Sequence, residues 1–487
     1  MQKKFLGIAN LALLQVAIVG SLQLLPANAI YGFSLPFLYL LATIGFFLPL
    51  TLMTAELATT RPQTGGAYIW CEQAFGSKFG FFTMGILWIS NLLWYPSIFF
   101  LISTNAVYLF NPALASNKIL MISITLFLFW MITGLNYAGV KISTRISVSC
   151  AVLGIILPMA LIITGGIIWW LSGKPLGVSL SQTPWLPNLT HFSNFGYLIA
   201  IAISLAGMEI TAVHAGNVIN PKRDYPISLI ISGILLLILL LGSELSIALI
   251  IPTKNLSVLS GVLDALILFF HSTHWHQLIE PMLLLVFLGN IGNITAWMLG
   301  VTRSMFVACQ HNHIIKFMQK QNRFEAPVGV LTIEAIIFTI CSSVLIVFPH
   351  ITDSFWLLMD VSSQISLIYY VILFISAIRL RYLPPLAKGF IIPGGKGVLW
   401  IIMSLGILTS SLSLLLGFFP PSDLTKNQIS IFHFIMSFGL FFSISLPILI
   451  LILSKKFENS TLAYARVSRE TSIDVTRETR PSGSVKK

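Results

Sequence analysis

Residues 200–226 read AIAISLAGMEITAVHAGNVINPKRDYP. The stretch is apolar enough and long enough to cross a bilayer, yet Gly207, Glu209 and His214 stand in its middle. A carboxylate at bilayer depth costs on the order of 3 kcal/mol on insertion scales. Glu209 therefore needs a function that offsets that cost. A glycine inside an apolar helix marks a place where the backbone can open. An opened helix leaves free carbonyls on one half and free N–H groups on the other, which together hold a small ion or zwitterion. The pattern predicts a break at Gly207-Met208-Glu209, with Ser204, Gly207 and Met208 facing a substrate. His214, five residues after Glu209, either shares a proton with it or is a hydrogen-bonded core imidazole.

The elements that must position these residues follow from composition. The chain has 487 residues, 56% apolar and 9% charged, with a mean hydropathy of +0.90. Such a balance excludes a soluble globular protein and reads as an integral membrane protein with one main domain, residues 1–454. The net charge of +12 reflects basic cytoplasmic loops, not a nucleic-acid partner. Cys71, Cys150, Cys309 and Cys341 are scattered without metal spacing and read as free core thiols. The first apolar run ends in Ala27-Asn28-Ala29, which resembles a signal-peptide cleavage site, but a second run starts within a few residues, so it reads as a retained span.

Twelve spans are expected: 8–29, 34–58, 80–109, 119–138, 147–171, 196–218, 227–251, 280–309, 328–348, 353–378, 397–419 and 428–454. With the N-terminus inside, only Lys118, Lys174, Lys254 and Lys426 of the 28 Lys and Arg fall outside. The excess of basic residues then places both termini in the cytoplasm. The tail, 455–487, is polar and basic and holds too few apolar residues to fold alone. It reads as a disordered segment near anionic lipid or as a regulatory segment that docks into the inner mouth.

The first span carries its own interruption: Gly20-Ser21-Leu22-Gln23, then Pro26. The two interrupted spans lie five apart, the placement expected when spans 1–5 and 6–10 are inverted repeats, followed by two further helices. The first span runs outward, so the half after Gly20-Ser21 offers N–H groups to a carboxylate. The sixth runs inward, so its first half offers carbonyls to an ammonium. Gln23 and, in the eighth span, Asn293 add neutral hydrogen-bonding groups. The site suits an amino acid. No sodium-type hydroxyl pair is evident beside Thr295, and no cofactor is implied.

Other residues admit bland readings. Glu56, at the cytoplasmic edge of the second span, suits a loop or gate salt bridge. Glu244, Glu334 and Asp360 are core carboxylates, partnered or protonated, or else parts of a transport path. Trp94 and Trp297 pack, or cap a substrate. His271, His274 and His276 lie in an outer loop without a metal-site geometry. A channel would want a ring of pore charge and an enzyme a nucleophile–base pair or HExxH; neither is visible.

Several motifs resemble the amino acid–polyamine–organocation superfamily, and within it the bacterial glutamate/γ-aminobutyrate antiporters. They are Thr64-Gly65-Gly66-Ala67-Tyr68 with Trp70, Gly207-Met208-Glu209, Asn220-Pro221 and Arg223-Asp224-Tyr225-Pro226. Phe390 with Ile392-Pro393-Gly394-Gly395-Lys396-Gly397, and Phe418-Phe419-Pro420-Pro421, point to the subfamily. The resemblance spans residues 1–454. It implies exchange of one amino acid for another by alternating access in a bacterial inner membrane, in acid resistance, with protons sensed or co-transported. It also implies that Glu209 is a proton-sensitive gate, that Tyr369 lies in the transport path and that the tail plugs the inner mouth. Three features depart from it. The relatives are rich in tyrosine and glutamate where this chain has Leu22-Gln23-Leu24-Leu25, and carry a glutamate at the position of Asn293, so this site is less acidic. The tail also lacks histidine. The expectation is glutamate or glutamine exchange for γ-aminobutyrate, favoured at acid pH. The alternatives are an exchanger or permease for another amino acid or amine, or a channel.

Overall fold

The computed structural model describes residue 4 and residues 6–178, 185–187, 196–252, 255–257, 260–344, 351–419 and 429–454. It is helical throughout, and among the described residues the only β pairing is an isolated bridge between Leu6 and Val218. The 455–487 tail, Pro420 and Pro421 lie outside the described residues.

The first predicted span is two helices, α1 (Ile8–Val19) and α2 (Leu25–Ala29). Then come α3 (Gly32–Thr60), α4 (Ala67–Phe75), α5 (Ser77–Tyr108), α6 (Lys118–Tyr137) and α7 (Val140–Leu171). The sixth predicted span is again two pieces, α8 (Gly196–Ser204) and the 3₁₀ helix α9 (Met208–Asn217). The chain continues through α10 (Pro221–Ile250), α11 (Gly261–Ser272), α12 (Ile279–His311), α13 (Val328–Val344), α14 (Ile351–Leu380), α15 (Gly395–Leu416) and α16 (Ile429–Ser454). Ten helices among the described residues are long and apolar enough to cross a membrane. The chain is a multi-pass membrane protein. The interrupted first span and the partly described ninth contribute shorter apolar helices, Ile8–Val19 and Val328–Ser342.

Two elements were not expected. α4 follows the Gly65-Gly66 turn, and α11 occupies part of the predicted 252–279 outer loop. Both are too short to span, and a short apolar run is ambiguous by periodicity alone.

Burial separates the helices. Most of α5 and α12 is buried, whereas α15 and α16 present large apolar side chains outward, including Ile401, Leu408, Phe434 and Phe441. A lipid-facing surface of that kind costs nothing in a bilayer.

The breaks are held by tertiary contacts. Gln15 on α1 donates from Nε2 to Ser228 Oγ at 3.2 Å and accepts from Ser232 Oγ at 2.7 Å, fixing α1 on α10. The N-terminal segment pairs with the end of α9 through Leu6 N–H to Asn217 O (3.1 Å) and Ile219 N–H to Leu6 O (3.0 Å). The start of the first interrupted span and the end of the second are thus tied together. Gly66 explains part of the Thr-Gly-Gly-Ala-Tyr motif. It has φ +52, and a Cβ there would sit 2.8 Å from Val213 N of α9. Only glycine lets the backbone approach α9 so closely in that conformation.

Candidate functional site

Both interruptions end at one cavity of about 70 Å³, enough for several water molecules. Val19, Ser21, Gln23 and Leu24 line it from the first break, and Ile203, Ser204 and Ala206 from the second. α5 contributes Ser90, Asn91 and Trp94, α12 contributes Asn293 and Trp297, and α14 contributes Ser362, Ser363, Ser366 and Tyr370. None of the lining side chains carries a formal charge.

The first break begins where Gly20 N–H bonds Val16 O and α1 stops. A helix end leaves carbonyls without intrahelical partners. Asn293 Nδ2 takes two of them, donating to Ala17 O at 2.7 Å and Ile18 O at 2.9 Å. Asn293 therefore holds the open end of α1 as well as lining the cavity. At the second break Leu205 N–H bonds Ala202 O, Ala206 N–H bonds Ile203 O, and Ser204 Oγ donates to Ile201 O at 2.7 Å. Gly207 then turns the chain with φ +108, ψ 0 before α9 starts.

Glu209 stands in the first turn of α9 and is buried. Its Oε1 accepts from the Tyr370 hydroxyl at 3.1 Å and from the Tyr369 hydroxyl at 3.5 Å, while Oε2 has no partner. Tyr370 lines the cavity, so Glu209 reaches it through a tyrosine hydroxyl. Tyr369 and Met208 are fully buried beside this cluster and are not part of the lining. His214 is buried with Nδ1 unpartnered, and neither Glu209 oxygen bonds it.

Of the residues singled out in the sequence, Ser21, Gln23, Ser204 and Asn293 meet at the cavity, and Gly20 and Gly207 stand at the two helix breaks beside it. The serine cluster is additional. Ser90 Oγ lies 3.0 Å from Ser362 Oγ and 2.7 Å from Ser366 Oγ, joining α5 to α14. A signal for it exists in retrospect: Ser362, Ser363 and Ser366 recur at i, i+1 and i+4 within an apolar span, which places them on one face. Trp297 Nε1–H donates to Asn91 Oδ1 at 2.5 Å, and its ring lies 5.7 Å from that of Trp94. The two tryptophans form an aromatic wall next to the breaks.

Polar contacts join the end of α3 to the end of α14 and the loop after it. Arg381 Nη1 donates to Glu56 Oε1 at 2.6 Å, and Ile392 N–H donates to Glu56 Oε2 at 2.8 Å. Phe390 N–H donates to Thr59 Oγ1 at 2.8 Å. These bonds seat the Phe390…Gly397 motif on the end of α3.

Comparison with known proteins decides the family. Residues 6–442 match the amino acid permease family. The chain belongs to that family, within the amino acid–polyamine–organocation superfamily. It is 37% identical over 446 residues to an uncharacterised transporter of Legionella pneumophila, covering 91% of this chain and 96% of the relative. It is 27% identical over 473 residues to a glutamate/γ-aminobutyrate antiporter of Lactococcus lactis, covering 96% and 94%. A "Probable agmatine/putrescine antiporter" of Lactococcus lactis is 27% identical over 399 residues, covering 81% and 84%. This amino acid permease is therefore a membrane transporter whose cavity sits between two broken helices. Two of these relatives are named for substrates, one for glutamate and γ-aminobutyrate and the other, as probable, for agmatine and putrescine.

Proposed function

We propose that this permease is an antiporter that exchanges glutamate or glutamine for γ-aminobutyrate by alternating access, faster as pH falls. The observation that supports this reading is the cavity itself. It joins both helix breaks, which suit an ammonium and a carboxylate, to a ring of serine, asparagine and glutamine side chains without a formal charge. An uncharged lining accommodates a neutral amide or ω-amino acid directly. It offers no cation for a permanently anionic side chain, so glutamate moves best when neutral overall, at acid pH. Two breaks five spans apart support an inverted repeat, and the Lys/Arg distribution supports cytoplasmic termini. Glu209 is assigned the role of gate, its carboxyl latched to the Tyr370 hydroxyl at the cavity wall.

The agmatine/putrescine relative favours a second reading, an amine exchanger. That reading calls for a carboxylate in the lining, and the lining has none. The discriminating measurement is countertransport in proteoliposomes preloaded with glutamine, glutamate, γ-aminobutyrate, arginine, agmatine or leucine, at acid and neutral pH. Label should accumulate against preloaded glutamine, glutamate or γ-aminobutyrate, and faster at acid pH. Preference for arginine, agmatine or leucine, or faster exchange at neutral pH, would overturn the substrate assignment. Uptake without a preloaded partner would overturn exchange.

A further inference from the structure

Glu244 lies in the last third of the membrane-spanning α10, fully buried. Its Oε1 accepts from Asn28 Nδ2 at 2.9 Å and from the Tyr39 hydroxyl at 2.9 Å. Two acceptors in this cluster have no partner: Glu244 Oε2 and Asn28 Oδ1. Both belong to side chains already joined by one hydrogen bond. A carboxylate and an amide oxygen are both acceptors and cannot satisfy each other. One proton changes that. With hydrogen on Oε2, the carboxylic acid donates to Asn28 Oδ1 while Oε1 accepts from Nδ2, giving a cyclic acid–amide pair that leaves no orphan.

We propose that Glu244 is a proton-binding site coupled to transport, and that in this conformation it is a neutral acid paired with the Asn28 amide. An ionised Glu244 would be a buried charge without a cation, which is costly. The neighbouring elements supply no such cation. α1, α2, α3, α7, α9 and α11 pack against α10. α1 and α2 carry no titratable side chain. α3 brings Tyr39, which donates to Glu244, and Glu56, which is held by Arg381. α7 brings Lys141 and Arg145 in its first turns, and Cys150. α9 brings Glu209 and His214, and α11 brings Asp264, which accepts from Ser260, and His271. On α10 itself Lys222, Arg223, Asp224 and Tyr225 lie in its first turns, about 30 Å along the axis. Among the described residues only Tyr39 and Asn28 are seen to hydrogen-bond the Glu244 carboxyl.

The location supplies the coupling. Asn28 belongs to α2, the half of the first broken span beyond the cavity. Tyr39 belongs to α3, which packs against α8, the first half of the second broken span and the source of Ser204. Movement of α2 or α8 during access changes breaks the acid–amide pair. Water then reaches the acid, its proton leaves to that water, and the carboxylate is stabilised by hydration until the pair re-forms and takes a proton back. The coupling rests on the exchanger reading; the protonation does not.

Glu244→Gln keeps the pairing shape, because the amide Nε2 donates to Asn28 Oδ1 and Oε1 still accepts, but it carries no titratable proton. Purified wild type at neutral pH is expected to show an infrared C=O band of a protonated carboxyl that Glu244→Gln lacks. In Asn28→Leu the band is expected to persist, shifted toward that of a free acid. In proteoliposomes with an internal pH dye, exchange of glutamine for γ-aminobutyrate, neither of which carries a titrating side-chain proton, should move protons in wild type, and Glu244→Gln should exchange the same pair with proton movement at background. No loss of carboxyl band intensity from wild type to Glu244→Gln would overturn the protonation. Proton movement per substrate equal in the two proteins would overturn the coupling. Stabilisation of wild type, and not of Glu244→Gln, by sodium chloride against choline chloride would replace the proton by a metal cation and also overturn the proposal. If wild type exchanges no label, the exchanger reading fails while the infrared result still decides the protonation.

Discussion

Gly207→Ala is expected to reduce transport at least tenfold. Gly207 has φ +108, a region that an L side chain occupies only with strain of about 1–3 kcal/mol. A Cβ there would lie 2.3 Å from Trp297 Cζ3 and 2.9 Å from Cη2, well inside van der Waals contact. The indole cannot rotate away freely, because its N–H is bonded to Asn91 and its ring leans on Trp94. Overpacking of that kind adds about 1–3 kcal/mol. Either cost alone displaces the hinge, the aromatic wall or both, and about 1.4 kcal/mol suffices for a tenfold loss of rate. Initial rates of label uptake, normalised to protein recovered in the membrane fraction, measure it. A rate within twofold of wild type would show that the turn at Gly207 is not a required hinge.

The second large effect concerns the ion pair between Glu56 and Arg381. Arg381→Ala leaves Glu56 buried with one backbone donor, Ile392 N–H, and no cation. Breaking a buried ion pair by removing one partner costs about 3–5 kcal/mol. The guanidinium and carboxylate here are 12% and 8% exposed, so the lower end of that range applies. Arg381 Nη2 also donates to Ile392 O at 3.1 Å, so the same substitution removes a second bond, between the end of α14 and the loop that follows it. The expected outcome is a clear fall in thermal stability in detergent. A Glu56→Gln, Arg381→Met double variant should be more stable than Arg381→Ala, because it removes both charges together. Equal stability of wild type and Arg381→Ala would mean the pair is solvent-screened and contributes little.

The two breaks were legible in the chain because their causes are local. Gly20-Ser21 and Gly207 interrupt runs that otherwise favour continuous helix, and an interior glycine costs about 1 kcal/mol against alanine. A carboxylate two residues after Gly207 marked the second break as more than packing. The long spans were legible for a similar reason: the hydrocarbon thickness sets their length and lipid excludes charge. Even so, α4 and α11 were missed, since short apolar helices and loop segments look alike in a chain this hydrophobic.

The composition of the site was not legible to the same degree. Ser90 meets Ser362 across 272 residues, Trp297 meets Asn91 across 206, and Glu56 meets Arg381 across 325. Tyr369 and Tyr370 are adjacent in the chain, yet Tyr370 lines the cavity and Tyr369 is enclosed behind it. In a soluble helix an apolar stripe shows which face turns inward. In a membrane helix the lipid side is as apolar as the core, so that stripe is absent and rotation about the axis is set by how neighbouring helices fit. Which oxygen finds a donor is decided at the same level. Asn293 looked like a substrate ligand in isolation, and packing put its amide on the carbonyls that end α1. Glu244 looked like one core carboxylate among several until α2 and α10 came together, leaving Oε2 and Asn28 Oδ1 as the two acceptors without a donor.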